Sequence, residues 1–133
     1  MVTGAKRLAD YGERAKAHAR ATRPDGPGWD WVDDPGFRIF WNAPALILIS
    51  GARSIAESPW DCCRAGQNLM LSAHARGLGA CWVGSPMAWL TAPEGASEVG
   101  IPDGFAPVAP ILVGHPAVTP LPREIERPEI VWR

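Results

Sequence analysis

The chain has 133 residues, a net charge of −1 and a pI near 6.3, a length that suits one domain with its own core. The near balance of 13 Lys+Arg against 14 Asp+Glu, with no Lys/Arg-rich stripe, excludes nucleic acid or an anionic membrane as the main partner. The three cysteines, Cys62, Cys63 and Cys81, give neither a disulfide framework nor zinc-ligand spacing, and predict a reducing compartment, the cytoplasm by default.

In chain order, residues 1–4 predict the tail of a strand. Residues 5–21 predict a polar, Ala-rich helix whose apolar stripe is thin: Leu8, Tyr11, Ala15 and Ala19. Residues 22–42 form a loop punctuated by Pro and Gly that carries Trp29, Trp31, Phe37, Phe40 and Trp41. A long aromatic loop in a small domain predicts either a lid over a binding site or packing across a core edge. The apolar run at 45–50 predicts a strand buried on both faces. The whole run from 43 to 49 is far short of the roughly 20 residues that cross a membrane.

The stretch 58–84 organises the rest. Ser58 is placed to cap a helix, with Pro59 at its first position and Asp61 near its positive end. Cys62, Ala65, Gly66, Leu69, Met70 and Ala73 recur at helical spacing, and their small members let another element approach closely. Gly77 is the expected C-cap, with Leu78 as its hydrophobic contact. Residues 80–83 predict a strand broken at Gly84. Further on, 87–90 start a short helix and 91–97 read as a turn. Pro107 and Pro110 predict that the strand at 106–113 lies at an edge or shrinks to 111–113. The rest is an extended polar tail.

Seven Trp supply either core area or walls for a flat aromatic ligand. A thiol nucleophile on Cys62 or Cys63 is disfavoured, because His74 lies three turns along the same helix; all three cysteines read as small buried residues. There is no P-loop and no dinucleotide fingerprint.

Asp61, Ala65, Gln67-Asn68, Leu71 and Ala73, then Gly77-Leu78-Gly79, then Cys81-Trp82-Val83-Gly84, follow a recognisable order. With Ala43-Pro44 and its strand, Gly100-Ile101-Pro102-Asp103-Gly104, the segment 107–116 and Arg127-Pro128, this order resembles the nitroreductase family of FMN-dependent NAD(P)H oxidoreductases. The likeness covers roughly residues 43–132. It implies one α+β domain over 1–133, a mixed sheet flanked by helices in three layers, and a homodimer.

The resemblance also implies FMN as cofactor, NAD(P)H as donor and a nitroaromatic, quinone or similar small-molecule acceptor. It sets Cys81, Trp82, Val83 and Gly84 against the flavin ring, and Arg123 and Arg127 against the phosphate. Trp31, Phe37, Phe40 and Trp41 line the substrate side. Glu124 and Glu126 stand where relatives often carry Lys or Arg. The family's Arg/Ser-rich front and its Pro-Ser-x-x-Asn segment have no counterpart here. The chain is therefore expected to be about the C-terminal two-thirds of such a protein. The alternative expectation is a non-catalytic remnant of the fold with weak or no flavin binding.

Overall fold

The apolar run after Pro44 forms a strand with further strands paired along both its edges and helices over both its faces. The computed structural model describes residues 2–118, 121 and 124–132. Its elements are β1 (Val2–Gly4), α1 (Ala5–Thr22), α2 (Asp30–Asp33), β2 (Ala45–Ala52), α3 (Ser58–His74), β3 (Gly79–Trp82), α4 (Met87–Thr91), α5 (Pro93–Val99) and β4 (Phe105–Gly114). The strands make one four-stranded sheet in the order β1-β2-β4-β3. The architecture is α+β with helices on both faces, as expected. Every described pairing is antiparallel, so the expected mixed sheet is antiparallel among the described residues. Hydrophobic runs alone do not give strand direction, because a central antiparallel strand covered on both faces is as apolar as a parallel one.

One face carries the core. Leu46 and Leu48 of β2, Leu112 of β4 and Val83 beyond β3 pack with Leu8, Tyr11 and Ala15 of α1 and with Trp89 and Leu90 of α4. The Tyr11 and Trp89 rings meet at 5.5 Å, and the Tyr11 hydroxyl donates to the Glu98 carbonyl at 3.3 Å. Each large side chain buried here stabilises the fold by roughly 1.5–3 kcal/mol. The opposite face is covered by α3, where Gly66 lets the helix approach closely. A Cβ at Gly66 would lie 3.1 Å from the Trp82 ring and 3.3 Å from Ile111.

Three local expectations change. Ser58 is the first helical residue; Glu57 is the N-cap and makes no side-chain cap bond. The 91–97 turn is the start of α5, with Pro93 at its head. Gly95 is a packing glycine, since a Cβ there would lie 2.0 Å from the Trp89 carbonyl oxygen. β4 is a ten-residue central strand rather than an edge or a three-residue remnant.

The two prolines of β4 sit where their missing N–H groups do little harm. The register shifts at Ile49/Ser50, beside the Ser50–Pro107 pair. Val83 N–H donates to the Pro110 carbonyl at 3.0 Å, so Pro110 turns toward β3 and leaves the ladder to β2 intact. The C-terminus of α3 follows the expectation. Gly77 has φ +72°, its N–H donates to the His74 carbonyl at 2.9 Å, and Leu78 N–H donates to the Ala73 carbonyl at 2.9 Å. Among the described residues no helix is long and apolar enough to cross a membrane.

Candidate functional site

The site is built where β3 ends. Pro110 has no N–H to return to the Val83 carbonyl, so the β3–β4 ladder stops there. Alternation along β3 then fixes the directions of its backbone groups. Val83 and Cys81 face β4, while Ala80, Trp82 and Gly84 turn their backbone groups to the outer edge. Among the described residues no strand pairs with that edge. Gly84 is exposed, and a Cβ built on it meets no heavy atom within 4 Å. Its carbonyl accepts from Met87 N–H at 3.0 Å, which starts α4.

Side chains along β3 alternate as well, and this separates the predicted ring contacts. Trp82 points to the α3 face and packs at Gly66. Val83 is buried in the core on the other face. Cys81 is exposed and opens into a cleft of about 480 Å³ shared with Trp41, Asn42, Leu112, Val113 and His115. The expectation of three buried cysteines holds for Cys62 alone. Cys63 is exposed, because one residue along a helix turns the side chain by about 100°.

Trp41 reaches the cleft through a strained turn. Trp41 and Asn42 have φ of +49° and +56°, and Ala43 N–H donates to the Phe40 carbonyl at 2.8 Å. Positive φ at both central residues is the primed-turn arrangement that normally calls for Asn or Gly, and a Trp there is unfavourable. The turn buries Phe40 in the core and leaves Trp41 64% exposed at the cleft. From Trp41 an aromatic row runs back along the loop. Phe37 lies 5.2 Å away, Trp31 5.4 Å beyond it and Trp29 6.0 Å further. Three predicted substrate-side residues, Trp31, Phe37 and Trp41, thus form one row, and Phe40 belongs to the core.

The row is held from α1. Arg23 Nη1 and Arg20 Nε pair with Asp33 at 2.7 Å and 3.1 Å, and these bonds hold the Asp33 carboxyl below its ordinary range. The buried Lys16 donates to the carbonyls of Asp34 at 2.6 Å and Phe37 at 3.1 Å. Lys16 has no signal in the sequence, where it sits in a polar helix like any solvated lysine. The one hint is its position, one residue past the core residue Ala15. Of the predicted phosphate contacts, Arg127 is exposed in the irregular tail, and Arg123 lies outside the described residues.

The Nitroreductase family profile matches residues 5–115. A Methanothermobacter thermautotrophicus protein provisionally named NADH dehydrogenase/NAD(P)H nitroreductase is 35% identical over 94 residues. That match takes in 66% of this chain and 48% of the relative, so the chain spans about half the length of that protein. A Bacteroides fragilis nitroreductase solved with bound FMN superposes with a TM-score of 0.79 at 20% identity, over 95% of this chain and 69% of that one. A Desulfitobacterium hafniense nitroreductase with bound FMN gives 0.79 at 24% identity, over 99% and 73%. The two structures establish the fold, and the profile spans most of the chain: the protein belongs to the nitroreductase family.

Proposed function

We propose that this chain is an FMN-dependent oxidoreductase that passes electrons from NAD(P)H to a nitroaromatic, quinone or similar small acceptor, working as a cytoplasmic homodimer. The observation that carries the reading is that Trp41, the end of the aromatic row, shares one cleft with Gly79, Ala80 and Cys81 of the open-edged strand. The fit to a flavin ring rests on the outward backbone groups of Trp82, the exposed backbone of Gly84 and the free space beside it. When bound, FMN supplies the hydride and electron chemistry. The chain's own residues hold and orient. The outward backbone groups of Trp82 and the N–H of Gly84 offer hydrogen bonds to a polar ring edge, Cys81 and Trp41 wall the cleft, and Trp31 and Phe37 extend an apolar surface for a flat acceptor. Arg127, with Arg123, is the proposed phosphate partner. The exposed Trp60 and Leu71 on α3 are the proposed subunit contact.

The deciding experiment is the visible spectrum of the purified chain after FMN addition and desalting, with Gly84→Val beside it. A retained flavin band is expected, with binding at least about tenfold weaker in Gly84→Val, a loss of roughly 1.4 kcal/mol or more. A Cβ at this position meets no heavy atom of the fold within 4 Å, so weaker FMN binding with an unchanged unfolding midpoint assigns the effect to the ligand. Arg127→Gln is expected to weaken binding as well. A colourless wild-type chain overturns the reading for this form.

A second reading is a fold that binds flavin weakly or not at all. It is favoured by the cleft's lining, where the titratable side chains are Cys81 and His115, a poor match for a phosphate dianion. A wild-type chain that loses FMN on desalting and does not oxidise NAD(P)H with any quinone would support it.

A further inference from the structure

We infer that Lys16, Arg20 and Arg23 form a cationic clamp that fixes the aromatic segment and so sets which aromatic acceptors the cleft admits, with Lys16 as its central positioning residue. The inference rests on the proposed role of that segment as the acceptor side of a flavin site.

Lys16 and Arg20 are four residues apart on one face of α1, and Arg23 is the residue that caps its C-terminal end. All three reach the same segment, and each reaches its main chain. Lys16 Nζ donates to the carbonyls of Asp34 and Phe37. Arg20 donates to the Val32 carbonyl at 2.9 Å, and Arg23 to that of Trp29 at 3.4 Å. Four carbonyls of the segment 29–37 are thus gathered by the C-terminal end of α1 and its cap, with the Asp33 carboxylate between the two arginines.

Lys16 is the unusual member. It is only 5% exposed, and both oxygens it reaches are main-chain carbonyls rather than carboxylates. Burying an ammonium is unfavourable unless its donors are satisfied, so the site holds only while the 34–37 turn keeps its shape. The turn itself is exposed at Asp34, Pro35 and Gly36, where water could serve its carbonyls without any lysine. The bond to Phe37 therefore acts on position. Phe37 lies between Trp31 and Trp41 in the row, and four residues later the chain enters the strained Trp41-Asn42 turn. Lys16 holds one end of that turn's approach and β2 holds its exit.

The test compares wild type, Lys16→Met, Lys16→Arg and the double variant Arg20→Gln/Arg23→Gln. Each full chain is studied by hydrogen exchange without ligand and by steady-state turnover with FMN. Lys16→Met keeps the apolar stem and removes the donors. Amides of 29–41 are expected to exchange at least about tenfold faster in it, with those of α3 and β4 unchanged. KM for a bulky quinone is expected to rise about threefold to tenfold while kcat with a small acceptor stays level. Lys16→Arg should restore part of both, and the double variant should loosen 29–34 more than 37–41.

Unchanged exchange in Lys16→Met and in the double variant would overturn the clamp. A loosened segment with unchanged KM would overturn its link to acceptor choice. Loss of protection across the whole chain would reduce Lys16 to a folding residue and overturn the proposal, unless the double variant loosens 29–34 alone and raises KM. A wild type without FMN turnover would instead defeat the proposed function, and with it the acceptor role, while hydrogen exchange still decides the clamp.

Discussion

The two faces of the sheet solve the burial problem differently. On the α1 side large side chains interlock: Leu46, Leu48 and Leu112 are closed over by Leu8, Tyr11, Trp89 and Leu90. On the α3 side the helix comes close by being small. Its buried residues are Cys62, Gly66 and Ala73, and Ile47 and Ile49 of β2 beneath it are only half-buried. Two of its large apolar residues point away, with Trp60 61% and Leu71 58% exposed. The first face is completed by the chain itself. The second leaves Trp60 and Leu71 in solvent, and single exposed apolar residues are ordinary on a protein surface, so the proposed subunit contact there rests on whether stability depends on protein concentration.

The largest effect should come from exchanging one Trp on each face for Ala. Trp89→Ala empties a fully buried site beside Tyr11 and Gly95, and urea unfolding should show a loss of about 3–5 kcal/mol. Trp60→Ala should stay within about 0.5 kcal/mol in dilute solution. A large loss for Trp60→Ala that grows with protein concentration would sharpen the comparison, because only an assembled α3 face makes stability concentration-dependent. A large loss independent of concentration would break it.

A smaller effect tests the close approach itself. Ala at Gly66 favours the helix by up to about 1 kcal/mol, but its methyl would sit 3.1 Å from Trp82 and 3.3 Å from Ile111. Overpacking typically costs about 1–3 kcal/mol, so the expected net is a loss of about 1 kcal/mol. The displaced Trp82 would also shift the β3 edge, so FMN retention should fall with stability. A net gain in stability would show that α3 has room to move and that Gly66 is not what sets its distance.

Much of this frame was legible from local pattern. The stripe Leu8, Tyr11, Ala15, Ala19 is the buried face of α1, and Gly77 ends α3 by the left-handed bonds its position implied. What was not legible depends on neighbours far along the chain. Pro93 and Gly95 look like a turn until the Trp89 carbonyl is seen to need the missing Cβ. Pro110 argues against a central strand until its ring is known to face the strand that ends beside it. The site divides the same way. The order Cys81-Trp82-Val83-Gly84 marked the place, but only the pleat separates Cys81 at the cleft from Trp82 under α3. Lys16 finds its acceptors 18 and 21 residues downstream, where no periodicity points.

The smallest effect concerns the one carboxylate in the arginine row. Arg23 first and Arg20 second donate to Asp33, so its folded-state pKa lies below the ordinary 3.8. A lowered carboxylate pKa stabilises the folded state fully above the unfolded value and loses that contribution as pH falls through the folded one. The aromatic segment should therefore be indifferent to pH from neutrality down to about 4, and loosen below it. Asp33 and Arg20 are about half exposed and Arg23 about a third, so the change should be local and modest, and weakened by salt. Trp side-chain resonances followed by NMR from pH 6 to pH 2.5 would separate the two regions. Trp29 and Trp31 should shift with a midpoint below 3.8, while Trp89 in the closed face stays fixed until the whole chain unfolds. Asp33→Asn should already show the low-pH positions of Trp29 and Trp31 at neutral pH and lose the titration. If Trp29 and Trp31 titrate identically in that variant, another group drives the change, and Asp33 does not couple the arginines to the row.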